Sequence, residues 1–277
     1  MSKIFTRSFR VRYSELDAAG WVSPAAYLRY LVETAYDWGE ALGLGARDSE
    51  RLGIFWLIRE TEIRLLHPLR HNDRFDFTIW MVNWQRVRGT RCFELTSGGE
   101  VLAQGSQHIV CMDSSTLRPT SPPETLLENF RLEQPRVFPF ERFPKIEPPA
   151  TCFSFSRRVE WGDLDTLEHV NNAAYVTLAE EAAARWRAER GWKPAKFAAM
   201  GLTPRTRRVH IQYLSPALWG EALTFSVYPR ESNATSSSLY VGLTRADGSL
   251  VCETLLDWEL VERGNGQVCP LLPEFSE

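Results

Sequence analysis

Apolar and polar residues alternate along most of this chain. Twice the alternation gives way to apolar positions spaced every three to four residues. Ile4 to Tyr13 alternates, with Phe5, Phe9, Val11 and Tyr13 on one face and Arg10 and Arg12 on the other, which predicts a strand. Ser14 to Ser23 is polar and turn-like. Pro24 suits a first helical turn, and the spacing predicts a helix from there to about Leu42. Gly43 to Gly53 reads as a loop. Four strand-like runs follow: Phe55 to Leu66, Arg74 to Trp84, Arg88 to Leu95 and Val101 to Met112. Turns are supplied by His71-Asn72-Asp73 and by Ser97-Gly98-Gly99-Glu100.

The same order returns. Phe153, Phe155, Val159 and Trp161 predict a strand. A polar turn holds Asp163, Asp165, Glu168, His169, Asn171 and Asn172. Ala173 to Arg190 then predicts a helix that is Ala-rich and free of Gly and Pro, with Tyr175, Val176, Leu178, Ala179, Ala182, Ala183 and Trp186 as its apolar positions. Strands are expected at Pro204 to Leu214, Ala222 to Pro229, Ser237 to Thr244 and Leu250 to Val261, and an irregular tail from Glu262. Sliding the chain by 148 residues matches 12 of the 35 positions from Phe9 to Gly43, among them Asp17 with Asp165, Tyr27 with Tyr175 and Trp38 with Trp186. The chain is therefore an internal duplication of a whole domain. Consecutive strands with short turns imply an antiparallel sheet, and one long apolar helix needs that sheet to cover it.

Between the repeats, Ser114 to Ala150 holds 8 of the 16 prolines. Apart from a short helix at Glu124 to Asn129, it reads as an extended linker. The expected division is residues 1–115, a linker at 116–150 and residues 151–277. With 277 residues and 44% apolar content, each half can bury its own core. A net charge of −3 argues against a nucleic-acid partner. Five scattered cysteines, none in a CxxC, indicate neither a zinc site nor a disulfide framework, so no metal or cofactor is expected. No run reaches transmembrane length and no secretory signal is visible, so the expectation is a cytoplasmic protein without membrane contact.

Candidate chemistry converges on the second polar turn. Asp165, His169 and a helix N-terminus capped by Asn171 or Asn172 lie within eight residues. Such residues are often only caps and surface groups. Free N–H groups and the partial positive charge of a helix start can also bind a developing oxyanion, beside a carboxylate and an imidazole able to move protons. The remaining histidines share no spacing and read as structural or surface groups. Arg205, Arg207 and Arg208 form a basic cluster, by default a solvated strand face and otherwise a docking patch for an acidic carrier.

DLDTLEHVNNAAY resembles the DxDxxxHVNNxxY signature of hotdog-fold thioesterases, and ELDAAGWVSPAAY resembles the variant in small thioesterases of the 4-hydroxybenzoyl-CoA type. The tandem arrangement is similar to acyl-ACP thioesterases, as are Phe55 to Arg59 and Met112 to Pro119. The resemblance implies an α+β protein of two tandem hotdog domains, each an antiparallel sheet wrapped around one long helix. It further implies hydrolysis of acyl-ACP or acyl-CoA, with two pseudo-equivalent sites, in a monomer acting as an intramolecular pseudo-dimer or in a homodimer. Carried over residue by residue, it makes Asp165 a base or nucleophile and His169 its companion. The Asn172 N–H, with Asn171 beside it, becomes the carbonyl-binding group, and Glu181 a group that positions water. Asp17 is the first-half counterpart, but His169 is matched there by Trp21 and Asn172 by Pro24, which has no N–H. Asp165 is therefore ranked above Asp17. Leu167 and Pro216-Ala217 stand where plant enzymes carry Asn and a Glu-Cys pair. These departures keep two alternatives open, a hotdog hydratase or dehydratase and a non-catalytic acyl-thioester-binding module.

Overall fold

The structure is a computed structural model that describes residues 3–139 and 141–275. The chain forms two compact units, Met1–Glu141 and Arg142–Glu277. Unit 1 runs β1 (Ile4–Arg10), a 3-10 turn at Tyr13–Glu15, α1 (Pro24–Ala41), α2 (Ala46–Leu52), β2 (Ile54–Leu65), β3 (Arg74–Gln85), β4 (Arg88–Ser97), β5 (Glu100–Asp113) and α3 (Glu124–Phe130). Its strands pair antiparallel in the order β1-β3-β4-β5-β2. Unit 2 runs β6 (Phe153–Arg158), a 3-10 turn at Trp161–Asp163, α4 (Asn172–Glu189), α5 (Pro194–Ala199), β7 (Leu202–Tyr213), β8 (Ala222–Ser232), β9 (Ser236–Thr244), β10 (Leu250–Glu262) and β11 (Val268–Cys269). Its order is β6-β8-β9-β10-β7, the same as in unit 1 strand for strand, with β11 pairing β10 beyond the end of β9.

Each unit is thus an α+β layer pair, a sheet with one long helix on its inner face. In unit 1 the inner face carries Phe75, Phe77, Ile79, Phe93 and Leu95, all at most 3% exposed. Tyr30 of α1 packs edge-on against Phe75 and tilted against Phe9. In unit 2, Leu223, Phe225, Val227, Val241 and Leu243 meet the buried stripe of α4 from Tyr175 to Trp186. Alternation along the strands places these residues on one face, and the 3.6-residue period of the helix presents a matching stripe.

Several expectations are corrected. The first strand of each repeat stops at Arg10 and Arg158, and Tyr13 and Trp161 stand 79% and 80% exposed in the 3-10 turns. Alternation alone cannot show that a strand has run out of partner: Val11 already bonds to the turn at Asp73. The Gly43–Gly53 loop contains α2, and the segment between α4 and β7 holds the short helix α5. The tail is largely irregular but carries β11 and a 3-10 turn at Pro273–Phe275. Phe275 is fully buried against Trp186, Trp192, Phe197 and Trp258.

The proline-rich segment is extended but anchored. In unit 1 the Trp80 indole N–H donates to the Arg136 carbonyl (2.7 Å), the Arg136 guanidinium lies over that ring, and Phe130 packs against Trp38. In unit 2, Phe143, Ile146 and Cys152 cover Tyr228, Tyr240 and Leu255 on the outer face of the sheet. Prolines limit the entropy lost in holding such an extended strap.

Gly105 is a tight point of the unit 1 inner face. A Cβ there would come within 2.2 Å of the Glu62 carbonyl oxygen and 2.5 Å of the Phe93 ring. Gly105→Ala is expected to cost roughly 1–3 kcal/mol by overpacking, measured by urea unfolding. Gly264→Ala, with open space around it, should change stability by less than about 0.5 kcal/mol.

Candidate active site

The chain between β6 and α4 reverses in a tight loop whose ends are held by a bridge between Leu164 and Val170. Asp165 N–H donates to the His169 carbonyl (3.0 Å) and Glu168 N–H to the Asp165 carbonyl (3.0 Å). The loop closes only because Glu168 adopts a left-handed φ of 61°. Unit 1 builds the same loop, with Leu16 bridging Val22, and has Gly20 (φ 83°) at that point. A non-glycine residue in this region carries backbone strain.

The loop is pinned from beneath by Asp163. Its carboxylate accepts both Arg157 nitrogens (2.6 and 3.1 Å) and the Glu160 N–H (2.8 Å), while its carbonyl accepts the Asn171 N–H (2.8 Å). This pairing holds the Arg157 pKa above its usual value. Glu15 plays the part in unit 1, accepting the Arg12 N–H (2.6 Å) and the Tyr30 hydroxyl. The shared acidic position was legible in the repeat, but not its structural duty, which depends on Arg157 reaching back from β6.

Asn171 is the N-cap of α4, its side-chain oxygen accepting the Ala173 N–H (2.9 Å). Asn172 is therefore the first helical residue, and its N–H has no carbonyl to bond within the helix. Its carbonyl accepts the Tyr213 hydroxyl (3.1 Å). The neighbouring Tyr175 hydroxyl accepts the Ala217 N–H (3.1 Å), and burial raises its pKa, keeping it protonated. In unit 1 the cap is Ser23, which makes no side-chain cap bond, and the first helical residue is Pro24.

Above this frame, Asp165 Oδ1 accepts the Leu167 N–H (2.9 Å) and lies 3.6 Å from His169 Nδ1, each side chain about a quarter exposed. Asp165 Oδ2 has no hydrogen-bond partner among the described residues. Asp17 is tied differently: its Oδ1 accepts both the Ala19 (2.8 Å) and Trp21 (3.0 Å) N–H groups. The structure thus brings Asp165, His169, Asn171 and Asn172 into one cluster and holds Asp17 in the equivalent loop of unit 1. Glu181 lies nine residues along α4, ~13 Å by helical rise, bonded to Arg185 (2.6 Å). Pro216-Ala217 bears no acid or thiol. The Pro216 carbonyl accepts Arg245 (2.6 Å), which also pairs with Glu221 (3.1 Å).

Four exposed apolar residues lie in the flanking segments: Trp161 and Leu167 in the loop, and Leu218 and Trp219 in the segment that Leu218 bridges to His169, all 50–80% exposed. The arginine cluster on β7 is paired on its own sheet, Arg205 and Arg207 sharing Glu259 and Arg208 meeting Asp257. Among the described residues no group of three His, Cys, Asp or Glu side chains could hold a metal ion, and no helix is long and apolar enough to cross a membrane.

The family model of the thioesterase-like superfamily matches residues 11–130 and 159–277, one match per repeat. The chloroplastic palmitoyl-acyl carrier protein thioesterase of Cuphea hookeriana is 24% identical over 188 residues, covering 62% of this chain and 45% of that protein. The chain spans about half the length of the curated relatives it matches. Among solved structures, the 12:0-ACP thioesterase from Umbellularia californica superposes with a TM-score of 0.76 at 17% identity, over 94% of this chain and 98% of that one. An acyl-ACP thioesterase from Bacteroides thetaiotaomicron gives 0.75 at 18%, over 94% and 100%. These likenesses establish the shared fold.

Asp163→Ala removes the loop's inner anchor and leaves Arg157 only the more distant, exposed Glu160 carboxylate (3.7 Å). The expected cost is roughly 2–3 kcal/mol, for charge-assisted hydrogen bonds lost in a partly buried pair. Asn171→Ala should cost only about 1 kcal/mol, a lost cap. Chemical denaturation of both variants checks the order.

Proposed function

The chain belongs to the thioesterase-like superfamily, and from that membership we propose that it hydrolyses acyl thioesters to the free acid and the thiol, with Asp165 as the principal catalytic carboxylate. The observation that carries this reading is the difference between the two loops. At Asp165 a carboxylate oxygen without a protein partner, an imidazole 3.6 Å from its neighbour oxygen and a helix-start N–H at Asn172 occur together. At Asp17 the imidazole position is Trp21 and the first helical residue is Pro24.

In this reading the Asn172 N–H and the positive end of α4 polarise the thioester carbonyl. Asp165 Oδ2 takes the proton of an attacking water, whose oxygen bonds to the carbonyl carbon. As the tetrahedral adduct collapses, the C–S bond breaks, and the proton taken up by Asp165 passes through His169, 3.6 Å away, to the departing thiolate. Direct attack by Asp165, through an anhydride that water then cleaves, uses the same atoms. Asn171 keeps the N-terminal turn in place, and Asp17 is the second-choice carboxylate. Glu181, held by Arg185, contributes to the field along α4 rather than by contact with the reacting atoms. The carrier is proposed as acyl carrier protein, the carrier named for the relatives above, with CoA as the alternative.

Free-thiol release from acyl-ACP and acyl-CoA panels tests the reading. Asp165→Asn is expected to lower kcat by about 10²–10⁴-fold, the usual worth of a general base, and Asp17→Asn to leave most activity. Loss only in Asp17→Asn would transfer the chemistry to unit 1. No thiol release from any substrate would leave the hydratase, detected by enoyl-CoA hydration, or the binding module.

A further inference from the structure

The inner faces of the two sheets can be compared layer by layer, because their registers repeat. In unit 1 Phe93 pairs with Gly105 and Gly105 with Ile63; one layer further along the strands come Arg91, Gln107 and Thr61. The corresponding layer of unit 2 is Leu239, Leu256 and Val209, each at most 2% exposed. The same fold, made twice in one chain, therefore packs this layer with two leucines and a valine in one copy. In the other copy it holds a guanidinium, an amide and a hydroxyl. Packing does not require the polar version.

The polar layer is ordered but not neutralised. Gln107 is 1% exposed, and its Nε2 donates to the Thr61 hydroxyl (2.9 Å), which turns its Oε1 toward Arg91. Arg91 donates to that one oxygen from Nε (2.7 Å) and from Nη2. No carboxylate pairs with it among the described residues, and its Nη1 has no acceptor there. Burial pulls its pKa down to about 10, with no acidic neighbour opposing the shift. It stays a cation at neutral pH, in surroundings where an unpaired charge is costly. Unlike Phe93 and Leu95 on the same strand face, Arg91 keeps part of its surface accessible. The contrast with Arg187 of unit 2 is instructive: that buried guanidinium lies over the Trp258 ring, in the last turn of α4, where the helix end favours a cation.

We propose that the Arg91–Gln107–Thr61 layer is a binding site for the carboxylate of an aliphatic chain. Arg91 offers Nη1 and the remaining Nη2 hydrogen as a two-pronged donor, the geometry that carboxylates fit best. Gln107, fixed by Thr61, keeps the guanidinium plane from rotating. Arg91 lies five residues along β4 from Thr96, which pairs near the start of β3 where β1 ends. That is ~17 Å of strand; Phe93 and Leu95 between the two ends are fully buried, so a hydrocarbon chain entering there has to displace packed core side chains. The ligand that presents this chemistry is a free fatty acid entering carboxylate first.

The test uses the full chain. Thermal unfolding and intrinsic tryptophan fluorescence are recorded with laurate and with dodecanol, for the wild type, for Arg91→Met, and for the triple variant Arg91→Leu, Gln107→Leu, Thr61→Val that copies the unit 2 layer. Laurate is expected to raise the wild-type Tm and to bind at least tenfold more tightly than dodecanol. That preference should vanish in both variants, and the triple variant without ligand should melt no lower than the wild type. Equal laurate preference in the variants, or none in the wild type, would overturn the site. A triple variant that folds but melts lower would make the layer structural instead. Arg91→Met keeps the binding comparison readable should the triple variant fail to fold.

Discussion

An 18-residue helix with one apolar face has to lie on a sheet, and that constraint organises both units. Once α1 or α4 is laid across its five strands, the helix start is fixed against the edge strand that precedes it. The connecting chain must then turn back within about a dozen residues. The loop bridged by Leu164 and Val170 is what that reversal allows, and the strained Glu168 is part of what it costs. A carboxylate on this loop is carried to the positive end of the helix by the packing itself. Asp163 and Arg157 hold it there from the buried side.

Duplication separates what the fold needs from what the chemistry needs. Strand order, register, the loop and the tyrosine beneath it recur in both units, with Tyr27 bonded to the Leu69 backbone as Tyr175 is to Ala217. The helix starts diverge: Asn171-Asn172 in one, Ser23-Pro24 in the other. Replacing an N–H by a proline ring leaves the helix intact and removes a donor, so a change invisible to stability alters what the site can bind. The third inner layer diverges the other way, with unit 1 carrying the polar groups that unit 2 does without.

The linker shows why composition can mislead. Its prolines suggested a spacer, and an extended chain is what forms. Yet Arg136, Phe138 and Phe143 are bound to tryptophan and tyrosine faces on the outer sides of the sheets. Prolines keep such a strap stiff, and its aromatic residues provide the surface that holds it down. The tail behaves similarly, since Phe275 fills a gap among four aromatic rings that no local pattern announces.

By itself the sequence determined the two repeats, the alternation that makes the strands, the spans of the two long helices to within one or two residues, and the grouping of Asp165, His169, Asn171 and Asn172 in one turn. All of these depend on neighbours in the chain or on a fixed period. Only the tertiary structure decided that Asp163 is an anchor, since that depends on Arg157 reaching back from β6. It also decided that the β7 arginines pair with Glu259 and Asp257 across the sheet and that Arg91 has no acidic partner among the described residues. These last two depend on which strand lies beside which, and charge pairing across a sheet is set by register rather than by any spacing along the chain.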